Sequence, residues 1–176
     1  PKATKTEALL FATEIENICS LSLGPLEKID FLKKLCCLHV LRSLCFQSNR
    51  IDTQKTDTPG FAGNYCWIAC NPHAPSGSNE RKIAQASFSR IERILYRVLH
   101  RDDLFNGDIP GSMNEALKHG HKIFHKIAKD MGFVIPKTGA GERFSLNTDH
   151  VRLLVAALVR PNEKIRLDNF YKRVFA

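Results

Sequence analysis

The amino-acid sequence predicts a mainly α-helical protein, with a helical hairpin at the N-terminus and a C-terminal lobe that carries a small β-hairpin. Apolar residues recur at intervals of three and four over most of the chain, which indicates amphipathic helices. Short apolar runs at 133–135 and 143–146, separated by a glycine-containing turn, indicate the β-hairpin. With 176 residues, 43% of them apolar, the chain is long enough for one sizeable core or two small lobes.

Two helices are predicted in the first 50 residues. The first covers about 6–20, and the second begins at Pro25, since proline is favoured at the first position of a helix, and runs to about 47. The second helix is apolar on nearly all sides, which is typical of a core helix. Four cysteines lie in these two stretches, and we expect them to be buried, reduced thiols: Cys19, Cys36, Cys37 and Cys45.

The rest of the chain is predicted to be a linker followed by a helical lobe. The linker contains one short strand at 64–70, where aromatic and branched residues cluster. Four helices follow, at about 80–103, 113–131, 149–159 and from 167 onward. We therefore expect three regions: 1–50, a helical hairpin; 51–79, a loop-rich linker; and 80–176, a basic domain. Because the chain ends inside the last predicted helix, we also expect it to be one domain of a larger protein.

Local capping signals predict where helices of this lobe begin and end. Ser112 is expected to be the N-cap of the 113–131 helix, because its hydroxyl can accept from the first free backbone amides. Gly132 is expected to stop the same helix, since glycine readily adopts the left-handed conformation that follows a helix. Asn147 or Thr148 is expected to cap the next one.

The net charge of +8 favours an anionic partner, and two of the predicted helices concentrate that charge. On each of them, cations recur at spacings of three and four and so share one side of the helix. Such a row can neutralise several phosphates at once and release their counterions. The 80–103 helix contributes Arg90, Arg93, Arg97 and Arg101, and the 113–131 helix contributes Lys118, Lys122, His125 and Lys129.

The order of helix, glycine stop, strand, glycine turn and strand resembles the recognition helix and wing of winged helix-turn-helix proteins, over about 87–146. In that family one helix enters the major groove of DNA and the hairpin touches the neighbouring backbone. The segment 102–111 departs from the pattern, because it is too short and too rich in glycine and proline for the helix that precedes the recognition helix. The resemblance implies that DNA would be contacted by Lys118, His121, Lys122, His125 and Lys129, with Lys137 and Arg143 on or beside the wing.

Two groups of residues contain side chains that could bind a metal ion. Cys66, Cys70 and His73 offer three zinc ligands, but their spacing is not that of a zinc finger, so we favour strand cysteines and a loop histidine. His121 and His125 lie one helical turn apart, yet lysines surround them and no glutamate follows the first histidine. We therefore favour phosphate contact there and expect no metal and no other cofactor.

The sequence contains no phosphate-binding loop, no dinucleotide-binding glycine pattern and no nucleophile elbow, so we expect no enzyme activity. The expected function is a DNA-binding domain, with double-stranded DNA favoured, that targets or senses for a larger complex in the cytoplasm. The layout is similar to accessory subunits of bacterial genome-defence or restriction systems. The alternative is a protein-interaction module that binds another subunit through its apolar hairpin and basic face. No apolar run is long enough to predict a membrane partner.

Overall fold

The computed structural model describes residues 2–53, 67–100 and 111–175, with the side chains of 2–4, 6, 111–118 and 175 left out of the description. Within these ranges the chain is mainly α-helical with one small antiparallel sheet, which confirms the predicted fold class. The helices are α1 (Lys2–Cys19), α2 (Pro25–Thr53), α3 (Asn79–Leu99), α4 (Gly111–Asp130), α5 (Thr148–Leu158) and α6 (Leu167–Phe175). The strands are β1 (Val134–Ile135) and β2 (Arg143–Phe144), which lie between α4 and α5.

One hydrophobic core joins the N-terminal helices to the C-terminal helices and the hairpin. It consists of buried side chains from α1 through α5, among them Ile18, Leu35, Phe88, Phe124, Phe144 and Leu153. Trp67 packs against this core, and its ring stacks on Phe144 with the ring centroids 4.6 Å apart. The helical hairpin and the basic region therefore contribute side chains to one core. The boundaries of the three predicted regions stay predictions.

The predicted strand at 64–70 is not present in its described part. Residues 67–69 have no regular secondary structure, and Cys70 makes a single parallel bridge to Ser145. The Cys70 N–H donates to the carbonyl of Phe144, and the Leu146 N–H donates to the carbonyl of Cys70, both at 3.1 Å. An apolar segment can thus contact a hairpin through a single bridge without forming a strand. The sequence pattern does not distinguish such a segment from a paired strand.

The expectation of four buried cysteines in α1 and α2 is wrong for most of them. Cys19 and Cys36 are exposed and Cys37 is half-buried, whereas Cys45 is buried. The reason is that α2 has a solvent side despite its apolar composition, and Cys36 lies on the same stripe as Ile29 and Val40. The helix is therefore not buried all round.

Capping explains several of the helix ends. Gly132 has a φ of +77° immediately after α4, as its predicted role as a helix stop requires. Asn147 is the N-cap of α5, and its side chain accepts from the backbone N–H of His150. The helix α4 begins at Gly111, so Ser112 lies inside its first turn and is not the N-cap that was expected.

The candidate site depends on how closely α4 approaches α3. Gly120 of α4 faces Leu99 of α3, and a Cβ at this position would lie 3.2 Å from the Leu99 Cδ2 atom. A larger residue would need the leucine side chain to move. The absence of a side chain at Gly120 therefore lets the two helices come together, with the side chains of the following turn of α4 against α3.

Candidate functional site

The arginine row of α3 is only partly free to meet a ligand. Arg90 and Arg93 are exposed, and neither forms an ion pair with any residue that the structure describes. Arg97 is also exposed, but its Nη2 lies 2.8 Å from Oδ2 of Asp52 in α2. Arg101 lies outside the described residues. Two of the four predicted arginines are thus available on this face.

The cationic residues predicted on α4 are also only partly available to a ligand. Lys122 is exposed and makes no ion pair within the described ranges. Lys129 is half-buried and pairs with Glu142. Lys118 has its backbone in α4, but its side chain lies outside the described residues. On the described part of this helix, the charge that remains available to an anion is that of Lys122.

Of the two cations predicted on or beside the hairpin, one is exposed and the other is buried. Lys137 is exposed in the turn between β1 and β2, close to Gly139 and Gly141, which both have positive φ angles. Arg143 is only 7% exposed, and its Nη1 donates to the carbonyl of Gly141 at 3.4 Å. Arg143 does lie in the hairpin, as expected, but its expected contact with DNA is not possible in this structure, because β2 is buried on both faces.

Two of the three histidines of α4, His121 and His125, point towards a carboxylate rather than towards solvent. Nε2 of His125 lies 3.1 Å from Oε1 of Glu92 in α3, and Nε2 of His121 lies 3.7 Å from the same oxygen. One ligand atom from each of these three side chains lies within 4.8 Å of the other two. Sequence reasoning missed Glu92, because no spacing along the chain connects it with residues of α4.

Burial and neighbouring charge lower the pKa of one histidine of this cluster. Burial lowers the pKa of His121, and the positive charge of a protonated His125 lowers it further, against an opposing effect of Glu92. His121 is therefore neutral near pH 7. Nδ1 of His125 faces Oε2 of Glu142 at 3.6 Å. Its Nε2 is buried and has no hydrogen-bond partner, despite its closeness to Glu92.

An open hollow adjoins the cluster at the junction of α3 and α4. It has a volume of about 340 Å³ and is lined by Ser89, Glu92, Arg93, Tyr96 and His121. The Tyr96 ring stacks on His100, with the ring centroids 4.1 Å apart. Because Arg93 belongs to α3 and His121 to α4, the two predicted basic helices do share a surface at this place.

The other possible metal ligands do not gather in this way. Cys66 lies outside the described residues. Cys70 is buried, and its Sγ contacts the carbonyl of Phe144 at 3.7 Å. His73 is exposed, and its backbone N–H donates to the Asn71 side chain at 2.8 Å. In the described part of the chain, Glu92, His121 and His125 form the only group of three potential metal ligands.

Comparison with known proteins gives no relative from which a role could be transferred. No protein-family model, curated protein sequence or solved structure matches this chain. Among the helices of the described ranges, none combines the length and the apolar character needed to cross a membrane. The function is therefore inferred from the side chains themselves.

Proposed function

We propose that this chain is a non-catalytic domain that binds double-stranded DNA, mainly through phosphates, at the surface formed by α3, α4 and the hairpin. The observation that carries the proposal is that Arg93 of α3 and His121 of α4 line one hollow, so the two predicted basic helices share a surface on which lies an arginine that is unpaired within the described ranges. The succession of α4, Gly132 and the hairpin resembles a recognition helix with its wing. In that arrangement the helix and the hairpin contact the same duplex.

The cations that would contact DNA are those that the protein leaves unpaired. A cation already bound to a carboxylate loses that interaction when it binds a phosphate, whereas an unpaired one does not. Arginine also offers its planar guanidinium for bidentate contact with phosphate oxygens. By this criterion the interface consists of Arg90, Arg93, Lys122 and Lys137. Lys129, Arg97 and Arg143 are excluded because they are paired or buried.

The test is a double charge reversal within the proposed interface, Arg93→Glu with Lys122→Glu. The matched control is Lys33→Glu with Lys164→Glu, two exposed lysines of α2 and of the α5–α6 connection that make no ion pair with described residues. Both variants carry the same net charge. Affinity for a short DNA duplex is expected to fall by more than about tenfold in the first and by less than about threefold in the second.

An equal loss of affinity in both variants would show that net charge alone determines binding and would contradict the proposed surface. The fold of each variant is checked by the fluorescence of Trp67, the single tryptophan of the chain, which packs on the core. Neither interface residue makes an ion pair within the described ranges, so we expect both variants to remain folded.

The alternative function, a protein-interaction module, is favoured by one separate observation. Leu26, Ile29 and Val40 are exposed on α2, Leu26 at 83%, and together with Cys36 they form a stripe along one side of that helix that is apolar except at Lys33. This stripe is distinct from the α3–α4 surface. If the wild-type protein does not bind duplex DNA at about 50 mM salt, where phosphate contacts are strongest, the DNA proposal fails and this stripe becomes the leading candidate surface.

A further inference from the structure

The two distances from Glu92 to its histidines are close to those between the ligands of a tetrahedral metal ion. Bonds of 2.0–2.1 Å to zinc place neighbouring ligand atoms about 3.3 Å apart. The two histidine nitrogens lie 3.1 Å and 3.7 Å from the Glu92 oxygen, on either side of that value. The two histidine nitrogens also lie within 4.8 Å of each other, so an ion could be bound by adjustment of these three side chains.

We propose that Glu92, His121 and His125 bind a divalent transition-metal ion, best matched by Zn²⁺, which links α3 to α4. Two imidazoles and a carboxylate are the ligand types that zinc takes in proteins. His121 and His125 are four residues apart, so they project from the same side of α4 towards one carboxylate of α3. The site does not depend on the DNA-binding function.

The surroundings of His125 also suit a metal ligand. Its Nε2 is buried, lacks a hydrogen bond and lies beside Glu92, whereas its Nδ1 faces the Glu142 carboxylate. Histidines that bind metals commonly direct their second ring nitrogen towards a carboxylate, which keeps the proton on that nitrogen and leaves a lone pair for the ion. Glu142 is itself paired with Lys129 and so is fixed in position.

Nearby lysines do not exclude a cation from this site. The charge of Lys129 is offset by Glu142, and the side chain of Lys122 is exposed to water, where its charge is screened. Glu92 supplies a negative charge directly to the ion. The expectation from sequence that lysines would repel a metal overlooked both carboxylates, because they come from α3 and from the hairpin.

Three protein ligands leave the fourth coordination position to water or to another small ligand. Glu92 and His121 both line the hollow of about 340 Å³, so an ion held between them borders that space. Arg93 lines the same hollow. An anionic oxygen, such as that of a phosphate, could thus reach the ion and the guanidinium together.

The test uses the full chain, stripped of metal with a chelator and titrated with ZnCl₂ in the absence of DNA. We expect one ion per chain, and a rise in Tm of about 5–10 °C when free Zn²⁺ is a hundredfold above its Kd. Mg²⁺ is expected to give no shift, because it prefers an all-oxygen coordination shell. With Co²⁺ in place of zinc, visible absorption reports a tetrahedral site directly.

Two variants and one control connect the ion to these residues. His125→Gln and Glu92→Gln are each expected to weaken zinc binding by more than about a hundredfold, since each removes one of only three protein ligands. His73→Gln, at an exposed loop histidine, is the matched control and should bind as the wild type does. Circular dichroism in chelator is expected to show all three variants folded.

Three outcomes would overturn the proposal. The first is the absence of zinc binding at micromolar concentrations of the ion. The second is binding that persists in both Glu92→Gln and His125→Gln. The third is binding that is lost in His73→Gln instead, which would place the ion at the cysteine-containing segment. Because no DNA is present, none of these outcomes bears on the proposed DNA-binding surface.

Discussion

A glutamate lies between α1 and α2 and another between α3 and α4, and the two junctions differ in how completely the chain satisfies that glutamate. Between α1 and α2, Glu14 is 1% exposed and receives two hydrogen bonds from Arg42, at 2.8 Å and 2.6 Å. Between α3 and α4, Glu92 faces His121 and His125, and the buried Nε2 of His125 has no hydrogen bond. The Glu14 carboxylate is paired with a guanidinium, whereas two imidazoles lie beside the Glu92 carboxylate.

The contrast separates an interaction that stabilises the fold from one that is available to a ligand. The two parallel hydrogen bonds from Arg42 use both oxygens of Glu14, and the Glu14 side chain is almost fully buried. At Glu92, the nearby imidazole nitrogens and the adjoining hollow remain available. We therefore expect substitutions at the first junction to affect folding and substitutions at the second to affect binding.

The largest effect on stability is expected from Arg42→Met. Removing the guanidinium leaves the buried Glu14 carboxylate without a counter-charge, and breaking such a pair costs about 3–5 kcal/mol of the free energy of unfolding. Glu92→Gln, measured in chelator, should cost less than about 1 kcal/mol, because the Glu92 side chain is itself 35% exposed and poorly aligned with its partners. Urea unfolding followed by Trp67 fluorescence measures both, and similar losses would remove the distinction between the junctions.

Comparison of His150 with His125 predicts a loss of stability of intermediate size. Nδ1 of His150 accepts from the Asn147 N–H at 3.3 Å, and its Nε2 lies 2.9 Å from the carbonyl of Met131. Both ring nitrogens are therefore satisfied, unlike those of His125. His150→Leu is expected to lower the free energy of unfolding by about 2 kcal/mol at pH 7, because two hydrogen bonds of about 1 kcal/mol each are lost.

The same residue predicts a pH dependence of stability. Burial lowers the pKa of His150, and the nearby charge of Lys34 acts in the same direction, against hydrogen bonding to Met131 and the charge of Asp149. The unfolded chain therefore binds the proton more readily than the folded protein does. The stability contributed by His150 is present above about pH 6.5 and is lost as the pH falls towards the lower folded pKa. His150→Leu should lose less stability than the wild type between pH 7 and pH 5.5, and an equal loss would contradict this assignment.

The smallest effect on stability is expected from the loss of an exposed ion pair. Arg97 is 55% exposed on its side chain and pairs with Asp52 across α3 and α2. Arg97→Gln should change the free energy of unfolding by less than about 1 kcal/mol, because water screens exposed pairs. Its DNA affinity should fall by less than about threefold if this arginine remains with Asp52. A loss as large as that of Arg93→Glu with Lys122→Glu would add Arg97 to the interface.

Local signals in the sequence predicted much of the fold. Pro25 begins α2, Gly132 follows the end of α4 and Asn147 caps α5, because each effect involves only neighbouring backbone groups. The burial of α2 was overestimated, since its composition does not show that Cys36 and Ile29 face solvent. Which side of an apolar helix is covered depends on the other helices that pack against it.

The candidate site was less predictable, because it forms between separate elements. The spacing of His121 and His125 identified two possible ligands, but Glu92 joins them only through the close approach of α3 and α4 at Gly120. Arg143 shows the opposite error. The resemblance to winged helix-turn-helix proteins implied that it lies on or beside a wing that touches DNA, whereas the packing around β2 buries it. Charge patterns along a chain do not show which cations the fold pairs or covers.

The central claim, that unpaired cations of α3, α4 and the hairpin bind DNA phosphates, is tested most directly by measuring duplex affinity over a range of salt concentrations. If Arg90, Arg93, Lys122 and Lys137 each contact a phosphate, the logarithm of the binding constant should fall against the logarithm of salt concentration with a slope of about −3 to −5. In Arg93→Glu with Lys122→Glu the slope should be shallower by about 2 units. No binding at low salt, or a slope that this variant leaves unchanged, would contradict the claim.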